Sequence, residues 1–292
     1  MDGKDELKQA LHRLAGGKKA SAGEKFCILG LAETGKLARR FEKTVKQIEI
    51  AALQHGLVPE RYLRNMGTVG PEGQLKLLLS EVAVVGLGGL GGLASELLAR
   101  MGVGSLILVD GDKFTESNLN RQIGAAESSL GMNKALVAQR RIGQINSAVE
   151  VRAVPDYVGK AELVDLLEHV HLAMDCLDNL PARFDLESAC QERNIPMVHA
   201  AIGGCMGQLA VIRPGTPLLS SIYGNTRLED VRSGKGPGPE AHPGNPAATP
   251  ALIASWEVSE AVKILLGGKG VLCNELLYLD LQNNEVDRIA LK

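Results

Sequence analysis

The stretch VAVVGLGGLGGLASELLARMGVGSLILVDGDKFTESNLNRQ, residues 82–122, decides the fold. An apolar, strand-like run breaks into glycines, a helical pattern follows, and a second apolar run ends in Asp110. Gly86, Gly88 and Gly91 form G-x-G-x-x-G, with Gly89 and Gly92 beside them. Such a turn is tight, and its backbone must approach a phosphate closely, so side chains are excluded. The helix that follows offers unpaired N–H groups and the positive end of its dipole. The motif is weak alone, but here it follows a predicted strand and opens a predicted helix, which is the context it needs. Asp110, about 20 residues beyond the turn, is placed to accept hydrogen bonds from a ribose.

The pattern continues outward. EVAVVG, SLILVD, VEVRAVP, LAMDCLD and PMVHAAIG are short β-rich runs. GGLASELLARMG, NKALVAQRRIGQIN, AELVDLLEHV and LPARFDLESACQERN between them have helical patterning. This alternation predicts an α/β fold, a doubly wound, Rossmann-like, mostly parallel sheet with helices on both faces. Unbroken apolar runs such as VAVVG suit strands covered on both sides. After Gly203 the pattern changes. GQLAVIRPG predicts a strand and a turn, SGKGPGPEAHPGNPAATP a mobile loop, and TPALIASWEVSEAVKILLGG a long apolar helix. NELLYLDLQNNEVDRIAL predicts a hairpin about Asn283-Asn284, so the sheet acquires C-terminal antiparallel strands.

Residues 1–57 predict a small helical N-terminal extension, and 58–292 the nucleotide-binding domain. Leu7, Leu11 and Leu14 fall on one helical face, GGKKASAG is a flexible joint, and LARRFEKTVKQIEIAALQHG is helical with Gly56 as its stop. The net charge of −2 over 292 residues argues against nucleic acid as a partner. A docking or dimer arm therefore suits the extension better than a DNA-reading helix-turn-helix. No apolar run approaches the roughly 18 residues of a membrane span, and the charged start lacks the apolar core of a signal peptide. A cytoplasmic location is expected. The five cysteines, Cys27, Cys176, Cys190, Cys205 and Cys273, are scattered and never spaced C-x-x-C, which predicts reduced thiols and no sequence-local zinc site.

The glycine turn alone suits a nicotinamide-dependent oxidoreductase. The residues after Asp110 do not. Asn118, Arg121 and Gln122 come first, then Lys134 at the start of a predicted helix, then Asp178 at the end of a predicted strand. In a doubly wound sheet the C-terminal strand ends border one crevice. Two cations, a polar amide and a carboxylate there match a polyphosphate and a metal, because cleaving ATP needs fixed positive charge and usually Mg²⁺.

These segments resemble the ThiF/MoeB/HesA family of adenylating enzymes, relatives of the ubiquitin-activating enzymes. The similarity runs from Arg61 to about Gly267 and rests on RYLRN, EGQLKLLLSEVAVVGLGGLG, VDGDKFTESNLNRQ, GMNKALVAQRRIGQIN, DCLDN and AAIGGCMGQLAVIRPGTP. It implies ATP-dependent adenylation of the C-terminal Gly-Gly carboxylate of a small ubiquitin-like sulfur-carrier protein, MoaD- or ThiS-like. Such a reaction supports molybdopterin, tungstopterin or thiamin biosynthesis. By position, Asp110 would hold the ribose, and Asn118, Arg121 and Lys134 the phosphates. Gly86, Gly88, Gly89, Gly91, Asp112 and Gln122 would line the nucleotide site, and Asp178 would bind Mg²⁺. Arg64, the second arginine of RYLRN, would reach the ATP of a partner subunit, which implies a homodimer.

The chain departs from the family in two places. Many members hold a structural zinc with two C-x-x-C pairs, one after the equivalent of RPGTP. Here that position reads Leu218, Leu219, Ser220 and Ser221, and the C-terminal hairpin offers only Cys273, so a zinc-free, MoeB-like variant is expected. Some members form a covalent adduct with the carrier through cysteine. Residues 218–250 contain none, and Cys176 and Cys205 lie in apolar or tight segments, so adenylation alone is the simpler reading. His199 is expected as a core or strand-end residue and Trp256 as a packing residue, while Arg183 suits either orientation of the site or the surface. His242 carries no signal. The rival readings are adenylation of a non-protein target such as a modified tRNA base, the nicotinamide-dependent oxidoreductase, and a scaffold without turnover.

Overall fold

A computed structural model of the chain describes residues 3–19, 25–215, 219–224 and 244–291. Most of the Gly/Pro loop, with His242 and Leu218, lies outside the described residues.

Strands β4 (Glu81–Val85), β5 (Ser105–Val109), β6 (Glu150–Val154), β7 (Leu172–Asp175) and β8 (Met197–Gly203) are parallel, in spatial order β6-β5-β4-β7-β8. Strands β9 (Met206–Ile212), β10 (Glu275–Asp280) and β11 (Glu285–Ala290) extend this sheet antiparallel beyond β8, giving eight strands. The order reverses between β4 and β7, and that switch point opens a crevice at the C-terminal strand ends.

The helices cover both faces. They are α4 (Gly70–Leu79), α5 (Gly91–Met101), α6 (Lys134–Ile145), α7 (Lys160–Leu166), α8 (Leu180–Arg193), α9 (Leu219–Tyr223) and α10 (Ala248–Leu266). Along β4, Val82 and Val84 face α5, α6 and α10, while Ala83 and Val85 face α7 and α8. All four are buried, which is why the run is apolar without alternation. Each such valine stabilises the fold by roughly 1.5–3 kcal/mol. Trp256 on α10 packs against the first of these cores, as expected. Among the described residues no helix is long and apolar enough to cross a membrane.

The N-terminal extension contains α1 (Gly3–Leu14), α2 (Leu31–Arg40) and α3 (Val45–Gln54). Leu7 and Leu11 enter its core, whereas Leu14, expected on the same face, is 41% exposed where the helix ends. The segment read as one helical stretch is two helices. The chain turns at 41–43, and Thr44 caps α3 by accepting from the Gln47 N–H while the Gln47 side chain accepts from the Thr44 N–H. A three-stranded sheet unforeseen in the sequence joins these helices: β1 (Gly16–Lys19), β2 (Lys25–Leu29) and β3 (Leu57–Pro59). The supposed joint supplies β1, and β3 runs past residue 57 while pairing with β2. The GGKK of β1 has no β-branched residue and no alternation, so only its pairing with β2 makes it a strand.

Buried polar groups fasten this extension to the main sheet. Asn146, at the end of α6, donates to the Tyr62 hydroxyl at 2.9 Å and to the Ala99 carbonyl at 2.8 Å, and accepts from Arg61. Arg61 Nε also lies 3.2 Å from Glu49 Oε1. Glu49 is 1% exposed, and its Oε2 has no hydrogen-bond partner among the described residues. Burial pushes its carboxyl up to about 7, against the pull of Arg61 and Tyr62. A carboxyl raised in the folded state contributes stability that is full below its ordinary 4.5 and is lost as pH rises through about 7. Glu49→Gln is expected to remove a stability loss on the order of 3 kcal/mol between about pH 5 and about pH 8. Denaturant unfolding at the two pH values measures it; an unchanged pH dependence in the variant would contradict this role.

Candidate functional site

The crevice is built from the backbone outward. Gly86 ends β4 with φ of 88°, and a Cβ there would lie 2.5 Å from the Cys176 carbonyl oxygen. A Cβ on Gly91 would lie 1.8 Å from the Gly86 carbonyl oxygen. Only glycine permits this closeness. Helix α5 begins at Gly91, and no side chain caps it. Apart from the Gly92 N–H, which bonds the Gly88 carbonyl at 3.2 Å, such a start suits an anion. Gly88 is different, because among the described residues a Cβ there would meet only Gln122 Nε2, at 3.6 Å.

Asp110 follows β5 directly. Its Oδ2 accepts from the Leu87 N–H at 2.7 Å, and its Oδ1 from the Asp112 N–H at 2.8 Å. Burial raises its carboxyl despite these bonds and the nearby Lys134. Each oxygen keeps a second lone pair for a ribose hydroxyl. The Asp112 carboxylate is engaged on both sides. Lys134 Nζ donates to Oδ2 at 2.8 Å, and the Tyr157 hydroxyl donates to Oδ1. Both contacts hold Asp112 below the usual carboxylate range. Asp112 thus holds Lys134, which is 6% exposed. Asn133 caps α6 by accepting from the Ala135 and Leu136 N–H groups, which fixes the helix that carries Lys134.

The polar stretch 117–122 folds beside the glycine turn. Arg121 donates to the Ser117 carbonyl at 3.0 Å and to Asn120 Oδ1 at 2.9 Å, and its Cγ lies 3.9 Å from where a Gly89 Cβ would be. Asn118 is buried, and its Oδ1 accepts from the Thr115 N–H at 3.0 Å. Its carbonyl therefore shapes the turn, a task absent from the phosphate-contact expectation. Gln122 is 6% exposed, and its Oε1 has no hydrogen-bond partner among the described residues. A buried acceptor left unsatisfied beside the glycine turn suits a ligand that brings a hydroxyl or amino donor there, as a ribose or an adenine does.

Asp178 does not end a strand. Strand β7 stops at Asp175, and Asp178 stands exposed in the turn before α8, whose cap is Asn179. The buried aspartate at the strand end is Asp175, which turns inward to Arg183 and His199. Arg183 is 1% exposed, so the surface alternative for it is wrong. His199 is in the core, as expected. Among the described residues no group of three or more His, Cys, Asp or Glu gathers as a metal cage. A lone exposed carboxylate such as Asp178 is chemically compatible with Mg²⁺, which keeps most of its waters.

Arg64 sits elsewhere. Its neighbour Asn65 bonds Gln74 and the Met101 carbonyl, at the far end of α5 from the glycine turn. Helix α5 has 11 residues, which makes about 16 Å. Cys176 Sγ lies 3.4 Å from Glu257 Oε1, and burial pushes both the thiol and the carboxyl well up. A thiol held neutral is a poor nucleophile. Tyr157 escaped the sequence reading, since nothing local marks it. Its ring packs on Gly111, where a Cβ would lie 2.7 Å from it, so a side chain there would displace the ring.

Residues 62–292 match the ThiF family. The chain is 35% identical to a SAMP-activating enzyme E1 of Haloferax volcanii, over 76% of this chain and 81% of that protein. It is 36% identical to a sulfur carrier protein adenylyltransferase of Thermus thermophilus, over 75% and 82%. It is 31% identical to a molybdopterin-synthase adenylyltransferase of Haemophilus influenzae, over 75% and 89%. The crystal structure of E. coli MccB with ATP shares the fold, with a TM-score of 0.66 at 20% identity, over 88% of this chain and 82% of that one.

The two kinds of glycine give opposite expectations. Gly88→Ala should leave the melting temperature within about 2 °C, since nothing clashes, yet weaken nucleotide binding at least tenfold by occupying the phosphate space. Gly91→Ala should instead destabilise the fold by several kcal/mol, roughly as overpacking does. Thermal melts and ATP titrations separate the two; normal ATP affinity in Gly88→Ala would place the phosphates elsewhere.

Proposed function

The chain belongs to the ThiF family and is an adenylyltransferase, and from that premise we propose that it activates the C-terminal Gly-Gly carboxylate of a ubiquitin-like sulfur-carrier protein, MoaD- or ThiS-like. The carrying observation is the placement of Lys134 and Arg121 near a helix start that no side chain caps, with Asp110 behind it. The named substrates of the Thermus and Haemophilus relatives support the choice of a sulfur carrier.

In the reaction, a carboxylate oxygen of the carrier attacks the α-phosphorus of ATP. The bond from that phosphorus to the bridging oxygen breaks, its electron pair leaves with pyrophosphate, and an acyl-adenylate remains. Asp110 holds the ribose, and the start of α5 receives the phosphates. Lys134, oriented by Asp112, and Arg121 stabilise the charge that builds on the transferring and leaving groups. Gln122 offers its amide within the same pocket. Asp178 would hold Mg²⁺, which would supply further neutralisation of charge on the phosphates. The activated carboxyl then serves molybdopterin, tungstopterin or thiamin biosynthesis in the cytoplasm. Residues 58–292 form the adenylation domain and 1–57 an appendage.

We further propose a homodimer in which Arg64 serves the partner's ATP. Its place at the far end of α5 supports action between subunits. So do Leu119, Ile123, Leu130, Met132 and Leu136, all exposed within one stretch around Arg121 and Lys134.

Arg121→Ala and Asp178→Ala are each expected to slow carrier-dependent ATP–pyrophosphate exchange about 10²-fold or more. Near wild-type exchange in both would remove them from the chemistry. For the dimer, Arg64→Ala and Asp178→Ala proteins, each inactive alone, should recover exchange when mixed and allowed to swap subunits. A mixture as inactive as its components would place Arg64 outside the partner's site.

A further inference from the structure

Beneath the crevice lies a chain of buried polar groups that the proposed reaction does not use. It begins at Tyr223, the last residue of α9, and passes through His199 on β8 to Asp175 at the end of β7. His199 and Asp175 are 0% exposed. Gln208 Nε2 donates to the Tyr223 oxygen at 2.9 Å. The Tyr223 hydroxyl lies 3.1 Å from His199 Nε2, which can accept its proton when the ring proton is on Nδ1. The opposite ring nitrogen, Nδ1, lies 2.7 Å from Asp175 Oδ2 and 3.0 Å from Arg183 Nη1. Arg183 Nη1 has the Ala200 carbonyl and Asp175 Oδ2 as acceptors for its two protons, so the ring proton is assigned to Nδ1, directed at the Asp175 carboxylate. Burial lowers the His199 pKa, consistent with a neutral ring that donates on one side and accepts on the other. For Asp175, burial alone would raise the carboxyl, but Arg183 and His199 outweigh it and keep the group ionised.

The far end of this chain grips a peptide. Asp175 Oδ1 accepts from the Leu177 N–H at 3.2 Å. Arg183 reaches Asp175 Oδ2 at 3.2 Å and the Ala200 carbonyl at 2.8 Å, and donates to the Leu177 carbonyl. Leu177 is thus held at both its N–H and its C=O, one residue before Asp178. One residue earlier, the Cys176 carbonyl packs against Gly86. The near end is tied down as well, because Glu187 Oε1 accepts from the Leu219 N–H at 2.6 Å, at the start of α9. A buried ionic cluster is rarely worth more than apolar packing of the same volume, so stability alone is a weak account of it.

We infer that Tyr223, His199 and Asp175 form a one-way hydrogen-bond relay that positions the 176–178 turn, and that nucleotide binding and the placement of α9 are coupled through it. The inference rests on the adenylation reading, because it takes the adjoining 86–91 turn as the nucleotide site. Tyr223 and His199 are positioning residues; neither touches the reacting atoms. Coupling of this kind is reciprocal: a ligand that settles the 176–178 turn must alter the surroundings of His199, and loss of the Tyr223 hydroxyl must weaken the ligand.

The full-length protein, labelled with ¹⁵N-histidine, tests this directly, with the His199 ring signals assigned through His199→Gln. In the wild type they should report a neutral ring protonated at Nδ1 and should move when MgATP is added. Tyr223→Phe, which removes one oxygen, should raise the Kd for MgATP about tenfold, comparable to losing one buried hydrogen bond. A purely structural cluster would shift the melting temperature and leave both readouts unchanged. The wild-type measurement needs no substitution, so it decides even where the variant folds poorly. Either an unmoved His199 signal in protein that binds MgATP, or a Kd in Tyr223→Phe within twofold of wild type, overturns the coupling and leaves the adenylation reading standing. Wild-type protein that binds no MgATP overturns both.

Discussion

The approach of three backbone segments at the switch point of the sheet governs everything above it. Gly91 leaves no room between α5 and the end of β4, and Gly86 leaves none between that end and the Cys176 carbonyl. With those side chains absent, α5 starts directly over the C-terminal edge of the sheet, and no side chain caps it. The positive end of a helix is thereby fixed at the C-terminal edge of the sheet.

The neighbouring charges are set by that placement. Asp110 braces the turn through the Leu87 N–H, and Asp112, two residues on, holds Lys134 beside it. The 117–122 stretch wraps back to set Arg121 over Gly89. A redox dinucleotide needs its pyrophosphate neutralised, which the helix start largely does. A triphosphate about to lose pyrophosphate needs more positive charge, held where charge accumulates during reaction. The surplus of cations is therefore the physical difference between the two kinds of enzyme, and the family membership agrees with it.

Much of this was legible in the sequence, and for one reason. Strands β4, β5 and β7 are covered on both faces, so their apolar runs are unbroken and the glycines between them stand out. The N-terminal sheet was not legible, because β1 and β3 are short and become strands only through pairing with β2. The break at residues 41–43 was equally hidden, since a helical spacing carries across it. Within DCLDN two aspartates compete for one role, and only the strand register shows that Asp175 turns inward and Asp178 outward. The Asp175–Arg183–His199–Tyr223 cluster joins residues far apart in the chain, and no local pattern marks such a meeting. Tyr157 was missed for the same reason, although its partner Asp112 was not.

The central claim is that this crevice is charge-matched to a metal-bound triphosphate. Calorimetric titration of the purified protein with MgATP, with ATP in the presence of a chelator, and with NADH measures that matching without any carrier protein. The account predicts saturable binding of MgATP that weakens when magnesium is withdrawn, and no binding of NADH at comparable concentration. Tight binding of NADH by a protein indifferent to ATP and magnesium would contradict it.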